Sequence, residues 1–270
     1  MKAKVLVARA TFPDVIERLQ QEFEVESNQE DRIFSPAELL QKMQGKDAVV
    51  ITASEKMTAE VIAANPQLKA ICNVAVGYNN IDVAAATAAG VMVTNTPDVL
   101  NETTADYAWT LLMANARRVC ESEHWLRAGH WKHWRFDSFL GADIHGATLG
   151  ILGMGRIGQA IARRSMGFDM NVIYHNRSRA TPEQEAYANN ARYVSKEELL
   201  RSADHLILVL PYSPQTHHII GAAELALMKP TATLVNIARG GIVDDVALIA
   251  ALRENRIASA GLDVFENEPA

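Results

Sequence analysis

Gly153-Met154-Gly155-Arg156-Ile157-Gly158 carries three glycines at the spacing of a pyrophosphate-binding turn. Gly153 suits the tight turn, Gly155 lets backbone approach a diphosphate, and Gly158 lets a helix pack closely on a strand. The N–H groups of Arg156 and Ile157 would then face the anion from the positive end of that helix. About 20 residues further on, a site selective for a free 2′-hydroxyl would carry an acid. This chain instead has His175-Asn176-Arg177-Ser178-Arg179. With no carboxylate to repel a 2′-phosphate and two guanidiniums to hold one, the stretch favours NADP(H), with NAD(H) as the alternative. Arg239 directly precedes Gly240-Gly241, where a planar fork could clamp a carboxylate while the glycines let the backbone pass close by. The closing GLDVFENEPA brings Asp263, Glu266 and Glu268 to the end of an apolar run, and a carboxylate so placed is often half of an acid–base pair.

Such residues need strand ends to stand on. Short β-branched runs predict strands over 4–8, 47–52, 69–76 and 91–95, alternating with helices over 14–23, 35–43, 58–65 and 81–90. ADYAWTLLMANARRVCESEHWL has helical period and neither Gly nor Pro, and predicts one helix over 102–127 that crosses between domains. The Trp- and Gly-rich GHWKHWRFDSFLGADIHG has no clear period. The rhythm then restarts with strands over 148–153, 170–175, 204–211 and 232–241 and the final run from Ala260. This βαβ alternation predicts an α/β fold of two doubly wound parallel-sheet domains, 1–97 and 98–270.

Length agrees: 270 residues at a soft prior of ~150 per domain give roughly two. The 49 % hydrophobic and 21 % charged content is that of an ordinary globular chain. A net charge of -6 argues against a nucleic-acid footprint. No run approaches the ~18 apolar residues of a membrane span, and the apolar stretch in MKAKVLVARATFP is too short for a signal-peptide core, so a cytoplasmic protein is expected. Cys72 and Cys120 are too few and too isolated for a disulfide framework or a thiolate metal site, and buried free thiols are expected. His124, His130 and His133 interleave with Trp125, Trp131 and Trp134, a composition that fits packing or a subunit interface better than a metal site.

VAVGYNNID (74–82), TPDVLNETTADYAWTLLMANARR (96–118), TLGILGMGRIGQAIARR (148–164), LPYSPQTHHII (210–220), LVNIARGGIVDDVALIAAL (234–252) and AGLDVFENEP (260–269) together resemble the D-isomer-specific 2-hydroxyacid dehydrogenases. Within that family they are most similar to the glyoxylate/hydroxypyruvate reductase and 2-ketogluconate reductase group. The resemblance implies a flavodoxin-like substrate domain and a Rossmann NAD(P)-binding domain, in a homodimer that reduces a small 2-oxoacid to the D-2-hydroxyacid. It further implies that the amides of Val76 and Gly77 receive the substrate carboxylate and that Arg239 holds it and polarises the keto oxygen. Thr104, Pro211, Thr216, Ala238 and Asp263 would contact the cofactor, Asp263 through the nicotinamide carboxamide. Glu268 would orient a catalytic histidine and raise its pKa.

In the family that histidine lies in a Pro-His-(Ile/Leu)-(Gly/Ala)-Ser segment some tens of residues after the glutamate. None of the eight histidines here has that context. The resemblance therefore places the partner of Glu268, and the elements that close the first domain, beyond residue 270. His217 and His218 match a surface turn of the family and are expected to be a solvated pair. The missing histidine leaves a second class open, a nucleotide-sensing binding protein on the same scaffold, which retention of Arg239 and Glu268 disfavours. An oxidoreductase for another small anion, such as formate or phosphite, is a weaker third reading.

Overall fold

The computed structural model describes residues 1–268, so Pro269 and Ala270 lie outside the description. The chain divides into two compact units, Met1–Val99 and Leu100–Ala270.

The first unit runs β1 (Lys4–Val7), α1 (Pro13–Glu22), β2 (Glu24–Ser27), α2 (Pro36–Met43), β3 (Ala48–Ile51), α3 (Ala59–Ala63), β4 (Ala70–Asn73), α4 (Val83–Ala88) and β5 (Met92–Thr94). Its sheet is parallel in the order β2-β1-β3-β4-β5, the flavodoxin-like arrangement. Leu6, Val49, Ile51 and Ile71 from the strands pack with Leu39, Met43 and Ile62 from the helices in one core. Helix starts are set by side chains that accept otherwise orphaned N–H groups. Ser35 and Glu38 form a capping box ahead of α2, with Pro36 pre-set in its first turn, and Asp82 caps α4 through Ala85. The predicted strand over 69–76 stops at Asn73, because the side chain of Asn73 turns back to bond the carbonyl of Gly77.

The second unit opens with α5 (Asn101–Ala116) and α6 (Val119–Arg127). It continues β6 (Thr148–Leu152), α7 (Arg156–Arg164), β7 (Asn171–His175), α8 (Pro182–Tyr187), β8 (Arg192–Tyr193), α9 (Lys196–Ser202), β9 (His205–Leu208), α10 (Ala222–Leu227), β10 (Thr233–Asn236), α11 (Asp245–Arg253) and β11 (Ser259–Leu262). The parallel order β8-β7-β6-β9-β10-β11 is the Rossmann order, and the chain reverses direction across the sheet between β6 and β9. Every residue of β9 and β10 is buried, as a strand covered on both faces requires. α5 lies on this sheet. The Trp109 indole donates to the carbonyl of Ile161 at 3.0 Å and stacks on Phe168, and a side chain at Gly261 would collide with Asn115.

The single helix expected over 102–127 is instead two. The Ala116 carbonyl, which a continuous helix would commit to residue 120, accepts from Ala142 N–H at 2.8 Å. Arg118 takes a left-handed conformation at φ 53°, and its guanidinium bonds Glu121 and the carbonyl of Leu140. The return of residues 140–142 onto the helix thus replaces one turn of α-helix, and Gly141 fits there only because it has no Cβ to strike Ala116. The expectation of two buried thiols also fails: Cys72 is half-buried and Cys120, on α6, is exposed.

Candidate active site

The glycine turn leaves the end of β6 and opens α7, on the edge of the sheet where the strand order reverses. Gly153 has φ 112°, and a Cβ there would stand 2.6 Å from the Val209 carbonyl, so only glycine fits. A Cβ on Gly158 would collide with the Gly153 carbonyl, which brings the first turn of α7 tight against the loop. Gly155 differs from both: nothing lies within 4 Å of where its Cβ would be. Protein packing therefore does not require glycine at 155, whereas a diphosphate approaching the N–H groups at the start of α7 does. The donor set and the open backbone fit a dinucleotide.

The turn after β7 is held by its neighbours. Asn176 Oδ1 accepts from Met154 N–H at 2.7 Å, tying this turn to the glycine loop. His175 donates through Nδ1 to the carbonyl of Val194. The two arginines are not equivalent, contrary to their joint availability in the sequence. Arg179 places Nε and Nη2 on the two oxygens of Glu185, both at 2.8 Å, while Arg177 and Ser178 are exposed. Glu185 also accepts from Tyr174 at 2.7 Å; the bonds from Arg179 and Tyr174 hold its carboxyl down at about 2, while burial, and then the bond to Glu185, push the Tyr174 phenol up to about 12.

At the end of β10, Ala238 N–H bonds Asn236 Oδ1, and the Asn236 amide donates to the Arg239 carbonyl at 3.2 Å, closing a tight turn that presents the half-buried Arg239. A side chain at Gly240 would strike the Phe265 carbonyl, so the segment after β11 lies directly on this turn. Asp263 donates its N–H to Asn236, and Glu268 accepts from Phe265 N–H at 2.8 Å. Partial desolvation raises the Asp263 pKa, repulsion from Glu268 raises it further, and the attraction of Arg239 works against both. One guanidinium and two carboxylates thus share a field at the C-terminal edge of the sheet. Thr216 spends its hydroxyl on its own turn, bonding the carbonyl of Pro211 at 2.9 Å and accepting from Ser213 N–H. Thr104 lies half-buried in the first turn of α5.

In the first unit, the loop after β4 has its carbonyls occupied. Ala75 accepts from Thr96 N–H, Val76 from Asn95 Nδ2 at 2.9 Å and Gly77 from Asn73 Nδ2 at 2.8 Å. In a trans peptide the N–H points opposite the preceding carbonyl. The N–H groups of Val76 and Gly77 therefore face away from these partners, as paired anion donors must. Asn80 braces the loop by donating to the carbonyls of Thr52 and Glu55, both at 2.9 Å.

Sequence reasoning missed Glu185, the bracing asparagines and a contact at the histidine pair. His217 and His218 are not simply solvated: His218 Nε2 meets Glu266 Oε1 at 2.5 Å, and the two imidazoles stack with centroids 3.8 Å apart. Spacing along the chain carries no sign of these partners, which come from other elements. The only advance signal was Glu266 itself, an acid at a strand end.

The family described as D-isomer specific 2-hydroxyacid dehydrogenase, NAD binding domain, matches residues 109–270. The chain belongs to this family. A glyoxylate reductase from Thermococcus onnurineus is 50 % identical over 273 residues, an alignment covering all of this chain and 81 % of the relative. Among solved structures, a glyoxylate reductase from Paecilomyes thermophila superposes with a TM-score of 0.89 at 36 % identity, over 100 % of this chain and 83 % of that one. An NADPH-dependent glyoxylate/hydroxypyruvate reductase from Sinorhizobium meliloti, in complex with NADP and malonate, has a TM-score of 0.85 at 34 % identity, covering 100 % and 82 %. Family membership and the Rossmann strand order support a nicotinamide cofactor for this chain. Among the described residues no helix is long and apolar enough to cross a membrane.

Proposed function

We propose that this chain reduces a small 2-oxoacid, such as glyoxylate, hydroxypyruvate or 2-ketogluconate, to the D-2-hydroxyacid, with NADP(H) preferred over NAD(H). Reduction of a 2-oxoacid follows from the glyoxylate reductases it matches along its whole length. The observation that carries the residue assignment is the half-buried Arg239 fork, set at the end of β10 in the field of Asp263 and Glu268. When bound, the reduced nicotinamide supplies a hydride to the carbonyl carbon. The outward N–H groups of Val76 and Gly77 receive the substrate carboxylate. Arg239 clamps that carboxylate and draws charge onto the keto oxygen, which lowers the barrier as the alkoxide develops. Gly153 to Gly158 and the start of α7 take the diphosphate, Asn176 to Arg179 the ribose end, and Thr104, Pro211, Thr216, Ala238 and Asp263 line the remaining cofactor path. Glu268 orients the histidine that protonates the alkoxide. The family resemblance places that histidine in a Pro-His segment.

The preference for NADP(H) rests on the exposed Arg177 beside a strand end without an acid. A homodimer is favoured by α6 and the segment after it, where Trp125, Trp131, Trp134, Phe136 and Leu140 are each exposed. The unpaired Cys72 and Cys120 fit a reducing, cytoplasmic setting. The test is to follow NADPH absorbance with glyoxylate and hydroxypyruvate for residues 1–270 beside a form extended through a Pro-His segment. A positioned general acid contributes about 10² to 10⁴-fold, so the extended form should be faster by that order. Equal rates would place the acid within residues 1–270.

A further inference from the structure

Among groups with no part in the proposed reduction, the tightest cluster lies where three segments of the second unit meet. These are the turn before Ile220, the Arg239–Gly241 turn with the start of α11, and the segment after β11. His218 joins all of them. Its N–H donates to the Gly241 carbonyl at 2.7 Å, two residues past Arg239, and its imidazole meets Glu266 at 2.5 Å, two residues before Glu268. Glu266 N–H in turn donates to Asp245 at 3.0 Å, and Ile220 bonds the backbone of Ile242 and Asp244. A Cβ on Gly241 would lie 3.4 Å from His217 Nδ1 and 3.6 Å from Glu266 Oε1, so the imidazoles and the carboxylate close around this glycine.

We propose that His218 is a positioning residue: its imidazolium, clasped to Glu266, holds the Asp263–Glu268 segment against the Arg239 turn in the geometry that turnover needs. This rests on the reading of Arg239 and Glu268 given above. The groups facing the imidazole are Glu266, Asp244 with Oδ2 3.9 Å from Nδ1, Asp245, and the stacked His217, which itself contacts the Tyr212 hydroxyl at 3.2 Å. Three carboxylates around one imidazole favour its charged form. The His218 pKa is raised, first by the Glu266 hydrogen bond and then by the charges of Glu266, Asp244 and Asp245, against the opposing effect of burial. A raised pKa means that, with Glu266 ionised, the clasp is fully charged below the ordinary imidazole range and is lost as pH climbs through the raised folded value. His217, His218 and Glu266 also offer ligand atoms within 4.8 Å of one another, but a protonated His218 cannot ligate a metal, so clasp and metal site exclude each other.

The test uses the form extended through a Pro-His segment and its His218→Ala, His218→Gln, Glu266→Gln and Arg239→Ala variants. Displacing a catalytic group by about 1 Å costs up to ~10²-fold, so His218→Ala should lower kcat for glyoxylate by roughly 10- to 100-fold while KM and NADPH affinity stay within about two-fold. His218→Gln, whose amide can still donate to Glu266, should recover part of kcat and flatten the alkaline fall of the wild-type pH profile. Histidine NMR should show one imidazole titrating above the ordinary range in wild type and falling back in Glu266→Gln, a readout that needs no turnover and survives if the alanine variant folds poorly. Wild-type kcat and pH profile in His218→Ala, with Arg239→Ala impaired, would overturn the proposal alone. An unimpaired Arg239→Ala would overturn the catalytic reading beneath it. Loss of wild-type activity after dialysis against EDTA would replace the clasp by a metal.

Discussion

Arg177 and Arg179 stand two residues apart and have different work. Both are exposed, but Glu185 holds Arg179 by both oxygens, so that guanidinium is fixed in direction before any ligand arrives. A charged hydrogen bond is worth about 1.5 to 3 kcal/mol, so Arg177→Ala should weaken NADPH binding by roughly 10- to 100-fold and leave NADH nearly unchanged, as measured by calorimetry. Equal losses for the two cofactors would mean that Arg177 does not read the 2′-phosphate. The arginines were legible in the sequence because their motif fixes where the ribose must lie. Their inequality was not, since Glu185 reaches back from α8 and nothing in RSRATPEQE distinguishes an acid that pairs from one that is solvated. The same holds for His218, whose partner lies 48 residues away.

At the level of elements, composition served well where one element buries itself by one rule. The β-branched runs around Leu6, Ile51, Ile151, Ile207 and Val235 became strands, and the glycine turn became a strand-to-helix junction. β2, with sequence EVES, escaped notice because an edge strand needs no apolar run, and β8 is only two residues long. The helix break at Arg118 escaped because its cause is a hydrogen bond from Ala142. The glycine turn itself separates packing from function. Gly158→Ala should destabilise the protein by about 1 to 3 kcal/mol, because its Cβ meets backbone. Gly155→Ala should leave the melting temperature within about 1 °C, since the position is open and its φ of -77° is ordinary, while cutting cofactor affinity about ten-fold or more. Thermal melts with and without NADPH check both. A Gly155→Ala variant that binds normally would show that the diphosphate passes elsewhere.

Across the whole molecule, each compact unit carries its own share of the proposed site on loops at strand ends, Val76 and Gly77 in the first and Arg239, Asp263 and Glu268 in the second. The parallel pairing of both sheets follows from the βαβ rhythm read off the sequence, whereas the two strand orders, flavodoxin-like and Rossmann, were expected from the family resemblance. The proposal of Arg239 as the anion clamp has a simpler basis in the sequence: an arginine before paired glycines at a strand end has few uses other than holding a carboxylate close to backbone. Turnover of glyoxylate with NADPH by the form extended through a Pro-His segment tests that assignment most directly, comparing kcat/KM for the unsubstituted enzyme, Arg239→Ala and Arg239→Lys. Loss of a charged donor aimed at the reacting oxygen should cost about 10² to 10³-fold in the alanine variant, and lysine, which lacks the bidentate fork, should recover little of it. An alanine variant within about three-fold of wild type, less than 1 kcal/mol of transition-state stabilisation, would contradict the assignment of Arg239 as the clamp.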